Sequence, residues 1–134
     1  MKTILIIDPE CSGESLAGIL SRHGYSALMV PRAGKALELL RGGASVDLVI
    51  MEMLLPDMSG LELLAAIRKL RPGLPVVVVT SGSSIESYLH AINMGVAEYL
   101  NKPVMSQELS YIVSSVLDRS GSGLIASSAP EREP

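Results

Sequence analysis

The sequence predicts an α/β domain built on a parallel β-sheet. Three observations carry the expectation. Five short apolar runs alternate with five helical patterns, as βαβ units require. The runs are aliphatic and β-branched in both phases, which suits strands buried on both faces. Glycine falls where the helical patterns stop.

The elements follow in order along the chain. Strand-like runs occupy residues 3–7, 25–30, 47–51, 75–80 and 97–100, and helix-like patterns occupy about 13–22, 33–41, 59–70, 84–94 and 106–118. Gly24, Gly42, Gly73 and Gly95 are the expected helix stops, since glycine takes the left-handed conformation of a helix C-terminus cheaply. Ser59 with Glu62 forms a capping box ahead of Leu61, Leu64, Ala65 and Ile67, Ser83 with Glu86 forms another, and Ser106 is the expected cap of the last helix. That helix sets Leu109, Ile112, Val113, Val116 and Leu117 on one packing stripe. Residues 1–119 are thus expected to form one domain. The stretch "RSGSGLIASSAPEREP" has no periodicity, so residues 120–134 read as a flexible tail or the start of an interdomain linker.

Composition narrows the function. A chain of 134 residues supports one sizeable core and is too short for two. With no Phe or Trp and only four Tyr, that core must be aliphatic. The single Cys11 excludes an internal disulfide and a cysteine-rich metal site, and it points to a reducing compartment. The run "LPVVVV" at 74–79 is too short to span a bilayer, so a cytoplasmic protein without membrane contact is expected. A net charge of -3 without clustered Lys and Arg gives no footprint for nucleic acid.

The chemistry-bearing residues collect at the strand ends. Asp8, Pro9 and Glu10 follow the first strand, Glu52 the third, Thr80 the fourth, and Lys102 with Pro103 the fifth. In open α/β sheets the carboxyl edge of the strands is where ligands gather. Carboxylates, a hydroxyl and an ammonium should therefore meet there. His23 and His90 lack neighbours of ligand type and are expected at the surface.

The ordered set "ILIID", "DLVIMEMLLPDMSGLELL", "PVVVVTSG" and "GVAEYLNKP" resembles the receiver domain of two-component response regulators. The resemblance implies a flavodoxin-like doubly wound sheet in strand order 2-1-3-4-5. It implies that an aspartate at position 52 would take a phosphoryl group from a histidine kinase. An acidic pair at 8 and 9 would hold Mg²⁺ with the carbonyl of Leu54, and Thr80 and Lys102 would bind the phosphoryl oxygens. Tyr99 matches the aromatic residue whose inward or outward rotamer reports activation. Lys102 and Pro103 match a pair joined by a cis bond.

Two positions depart from that pattern. Glu52 stands where the family has the phosphorylated aspartate, one methylene longer, which is about 1.5 Å of extra reach. Pro9 stands where the family has a direct metal ligand, and it offers neither carboxylate nor amide hydrogen. The expectation is an atypical receiver, or pseudo-receiver, that holds Mg²⁺ weakly or not at all and has no catalytic residue. It would act through protein contacts of the fourth helix, fifth strand and fifth helix, with a kinase, an output domain or another protein as partner and a homodimer left open. Glu52 either imitates the phosphorylated state in part or forms a plain ion pair with Lys102. One alternative is a working phospho-receiver using Glu52 or a neighbouring acid, Asp57 being the nearest spare carboxylate. A weaker one is a phosphohydrolase of the haloacid dehalogenase type, for which Glu10 stands where an aspartate is needed.

Overall fold

The computed structural model describes residues 1–10, 15–82 and 84–121. Cys11, Ser83 and residues 122–134 lie outside these bounds. In chain order the elements are β1 Thr3–Ile7, α1 Leu16–Arg22, β2 Ser26–Val30, α2 Ala33–Arg41, β3 Leu48–Met51, α3 Gly60–Leu70, β4 Val76–Thr80, α4 Ile85–Asn93, β5 Glu98–Asn101 and α5 Ser106–Gly121. The five strands pair in parallel in the order β2-β1-β3-β4-β5. This is the flavodoxin-like topology expected from the sequence.

Side chains of a strand alternate between the two faces of its sheet, so each central strand feeds two cores. Leu5, Ile7, Val49, Met51, Val76 and Val78 pack with Leu37, Leu40, Leu63, Leu64 and Ile67 of α2 and α3. Ile4, Ile6, Leu48, Ile50, Val77 and Val79 pack with Ile19 and Leu20 of α1 and with Leu109, Val113, Val116 and Leu117 of α5. Burial on both faces explains the unbroken apolar runs. α4 is the exception among the helices, because Ala91 is its one buried residue.

Local signals place most boundaries within a residue. The Ser59 side chain accepts from the Glu62 amide while the Glu62 carboxylate accepts from the Ser59 amide, which completes the expected capping box. The other caps differ from expectation. α4 is capped by Ser84, whose side chain accepts from the Ser87 amide. Ser106 is already the first residue of α5, and the Leu109 amide donates to the Met105 carbonyl one position earlier. α5 itself runs to Gly121, into the first two residues assigned to the tail.

The glycines also sort differently. Gly24 and Gly95 take the left-handed conformation at φ 89° and 84°, as expected. After α2 it is Gly43, at φ 86°, that does so, while Gly42 caps the helix at φ -79°. Gly73 does not adopt a positive φ; α3 ends at Arg71, and the chain turns through a hydrogen bond from the Leu74 amide to the Arg71 carbonyl.

Candidate functional site

Parallel strands in register end at one edge, and the loops after β1, β3, β4 and β5 rise there together. Asp8 follows β1 and Glu52 follows β3, tied to the neighbouring strand by its amide bond to the Ile7 carbonyl. Thr80 closes β4, and Lys102 follows β5 with its amide on the Thr80 carbonyl. Asp8, Glu52 and Thr80 are all buried.

Glu52 is the hub of the cluster. Its Oε2 accepts from the Thr80 hydroxyl, from the Met53 amide at 2.8 Å and from the Leu54 amide at 3.1 Å. Its Oε1 lies 3.2 Å from Lys102 Nζ and accepts from the Ser81 amide at 3.2 Å. At 3% exposure a carboxylate this well furnished needs all of these partners. Lys102 is shared: its Nζ also lies 2.8 Å from Asp8 Oδ2 and 3.6 Å from the carboxylate of exposed Glu10. Asp8 turns its other oxygen to the Glu10 amide at 2.9 Å.

The remaining sequence candidates fall around this hub. Pro9 is exposed after β1 and contributes no carboxylate. The Lys102–Pro103 bond is cis. Leu54 pairs with Ser59 in an isolated antiparallel bridge, and its side chain leans so far over Gly82 that a Cβ there would stand 2.5 Å from Leu54 Cδ1. The Tyr99 hydroxyl is buried with no hydrogen-bond partner among the described residues, and its ring meets the Tyr88 ring edge-on at 5.1 Å. Among the described residues no three His, Cys, Asp or Glu side chains are grouped so as to hold a metal ion. His23 and His90 are exposed.

Asp57, the nearest spare acid, has a structural occupation. Its two carboxylate oxygens accept from the Ala33 amide at 3.0 Å and the Gly34 amide at 2.8 Å. α2 lacks a side-chain cap of its own at Arg32, so Asp57, 24 positions downstream of Ala33, supplies one. The Gly34 amide bond is the leading reason that the Asp57 pKa is lowered.

The site's donors to Glu52 include three that sequence inspection passes over, the amides of Met53, Leu54 and Ser81. Backbone donors carry no residue-specific signal; only their place immediately after β3 and β4 marks them.

Charge follows geometry. Burial alone would raise the Glu52 pKa, but the hydrogen bonds from Thr80, the Leu54 amide and Lys102 outweigh it and hold the carboxyl below its ordinary value of 4.5. Burial would likewise lower Lys102, yet Asp8 and Glu52 together raise it above 10.5. A folded pKa below the unfolded one gives stability that is present above the unfolded value and lost as pH falls through the folded one. For Lys102 the sign reverses: the contribution is complete below 10.5 and lost as pH rises through its folded pKa. Urea midpoints measured across pH should therefore show an acid limb, beginning below about pH 4.5, that is shallower in Glu52→Gln than in the unmodified chain. Identical limbs in the two proteins would show that Glu52 is not energetically engaged.

The sequence profile of the response regulator receiver domain matches residues 4–114. The chain belongs to that family, whose members are signalling modules. It is similar to the transcriptional regulatory protein GlrR of Escherichia coli, with 32% identity over 118 residues that make up 87% of this chain and 26% of the relative. It is also similar to the sensory transduction protein RegX3 of Mycobacterium tuberculosis, with 33% identity over 123 residues, 90% of this chain and 53% of the relative. The chain thus spans between about a quarter and a half of the length of these curated relatives. Among solved structures, a CheY-like receiver domain protein from Methanospirillum hungatei superposes with a TM-score of 0.86 at 33% identity, covering 90% of this chain and 97% of that one. Among the described residues no helix is long and apolar enough to cross a membrane.

Proposed function

We propose that this receiver domain works without phosphorylation of the usual kind, because Glu52 stands in for the phosphorylated acceptor. One observation carries the proposal: the Glu52 carboxylate already engages the Thr80 hydroxyl, the Lys102 ammonium and the Ser81 amide. A phosphoryl group needs donors of these kinds around its oxygens. A carboxylate that held Lys102 alone would be an ion pair and nothing else; the added hydroxyl and amide favour imitation. The inward, buried hydroxyl of Tyr99 accords with an activated arrangement. The imitation is partial in charge, since a phosphoryl group brings about -1.5 to -2 and Glu52 brings one.

The donor set fits a divalent ion poorly. Pro9 supplies no ligand, both oxygens of Glu52 are taken, and Asp8 is bound to Lys102 and to the Glu10 amide. A hard cation would have to displace these bonds with too few carboxylates to replace water. The output is then contact with another protein in the cytoplasm through α4, β5 and α5, the partner being an output domain or a separate protein. Neither direct nucleic-acid binding nor enzymatic turnover is part of the function. Use of Asp57 as a substitute acceptor would uncap α2.

Intact-mass measurement after incubation with acetyl phosphate and Mg²⁺ tests this. The expected result is an unchanged mass. A phosphoryl increment that hydroxylamine removes, as it removes acyl phosphates, would establish a working phospho-receiver instead.

A further inference from the structure

A helix that buries one residue leaves its other apolar side chains for something else. In α4, Ile85 is 78% exposed, and Leu89 and Ile92, four and seven positions on, share its stripe and are also exposed. A cavity of about 250 Å³ opens at the head of this stripe, lined by Ser84, Ile85, Tyr88, Tyr99 and Asn101. α5 borders the same surface. Arg119 reaches Glu98 of β5 at 3.6 Å, and Tyr111 and Glu108 lie on the same side of the helix, eight and eleven positions earlier. Tyr111 is 73% exposed.

The charge around this apolar surface is one-sided. From Pro72 to Arg119 the only lysine or arginine residues are Lys102, which is committed to the pocket, and Arg119 itself, while Glu86, Glu98 and Glu108 are all acidic. Glu98 is answered by Arg119; Glu86 in the first turn of α4 and Glu108 in the first turn of α5 are exposed. A second copy packed face to face would set Glu86 and Glu108 against acids around an apolar centre, the arginine on the face, Arg119, being already paired with Glu98.

We propose that the α4–β5–α5 face is a docking site for a basic amphipathic helix of a partner protein. Its apolar stripe would lie along Ile85, Leu89 and Ile92, one apolar side chain would enter the cavity beside Tyr88, and its Arg or Lys would flank Glu86 and Glu108. This names the partner's chemistry for the contact-mediated output proposed above and rests on it.

The test uses the whole chain and two synthetic peptides: a helix with leucine on one face and arginine on the other, and its twin with glutamate for arginine. The arginine peptide is expected to bind at least about tenfold more tightly than its twin at low salt, with the advantage shrinking as salt rises. Amide shifts on binding should be confined to α4, β5 and α5. Ile85→Ser with Leu89→Ser removes exposed side chains, leaves the core intact, and should weaken the arginine peptide by about tenfold or more. Glu86→Lys with Glu108→Lys should invert the preference between the twins. Equal binding of the twins, shifts mapping elsewhere, or an unaltered preference in the charge-reversed variant would overturn the proposal. Sedimentation revealing a dimer closed by this face would also overturn it and make the occupant a second copy. Failure here with an unchanged intact mass leaves the unphosphorylated-receiver proposal standing; a phosphoryl increment alongside peptide binding does the opposite.

Discussion

Chains carrying both Pro9→Asp and Glu52→Asp are expected to accept a phosphoryl group from acetyl phosphate, while each single variant remains unmodified. Shortening Glu52 by a methylene withdraws its carboxylate by about 1.5 Å. Its hold on the Thr80 hydroxyl and Ser81 amide is released, so these donors become free to receive a phosphoryl oxygen. That alone leaves the charge of the transferring group uncompensated, because position 9 still lacks a carboxylate and Lys102 is divided between Asp8 and position 52. Pro9→Asp supplies the missing acid at an exposed position where the fold has little to lose, but behind it Glu52 still fills the pocket. The two effects act on one step, so they should be far from additive. Intact mass with Mg²⁺ present, before and after hydroxylamine, reads the result. A folded double variant that stays unmodified would mean that a third feature blocks the site, and the Leu54 side chain leaning over Gly82 is the first to test by truncation. Modification of Glu52→Asp alone would mean that Pro9 is no obstacle.

Arg68→Met should cost on the order of 2 to 3 kcal/mol of stability, the loss of several hydrogen bonds from a charged donor. From α3, Arg68 donates to the Leu74 carbonyl at 2.7 Å, to Met94 at 3.1 Å and to Gly95 at 2.7 Å. Met94 and Gly95 end α4, where the helix dipole leaves partial negative charge on unpaired carbonyls. Since α4 buries only Ala91, this clamp supplies anchoring that packing does not. Methionine keeps the stem and removes every donor. Urea unfolding should show the loss, and hydrogen exchange should show α4 opening before the rest of the sheet. Arg68→Lys should recover only part, because one ammonium cannot serve three carbonyls with the reach of a guanidinium. A midpoint within experimental error of the unmodified chain would show that α4 is held by other means. A frayed α4 should also weaken binding of the arginine peptide.

The sheet was legible because its strands are buried on both faces, which writes unbroken runs such as "LVIM" and "VVVVT" into the sequence. Strand-terminal residues inherited that legibility, so Asp8, Glu52, Thr80 and Lys102 could be grouped before any coordinates. Legibility ended where neighbouring residues share the same local chemistry. Gly42 and Gly43 are equal candidates for a left-handed turn, and Ser83 and Ser84 for a cap; tertiary packing chooses between them. It also ended where one side chain serves a distant backbone. Nothing near Arg32 announces that Asp57 will cap α2, and nothing near Arg68 announces the carbonyls of Met94 and Gly95. The direction of the Glu52 carboxylate belongs to the same class, because it depends on the Thr80 hydroxyl and the Ser81 amide brought in from the end of β4.

Glu52→Gln probes, with the smallest change of shape, whether Glu52 holds the pocket in its engaged arrangement. Removing the charge weakens the contacts to Lys102, Thr80 and the Ser81 amide, charge-assisted bonds of a kind worth on the order of 1.5 to 3 kcal/mol when well desolvated, as the Thr80 bond is. The direct measurement is the nuclear magnetic resonance signal of the Ser81 amide and the Tyr99 ring in the two proteins. In Glu52→Gln the Ser81 amide is expected to shift, and the Tyr99 ring to leave its edge-on contact with Tyr88 and gain solvent exposure. A Tyr99 ring and a Ser81 amide that stay as they are in the unmodified chain would contradict this, leaving Glu52 and Lys102 as an ion pair that holds two loops together.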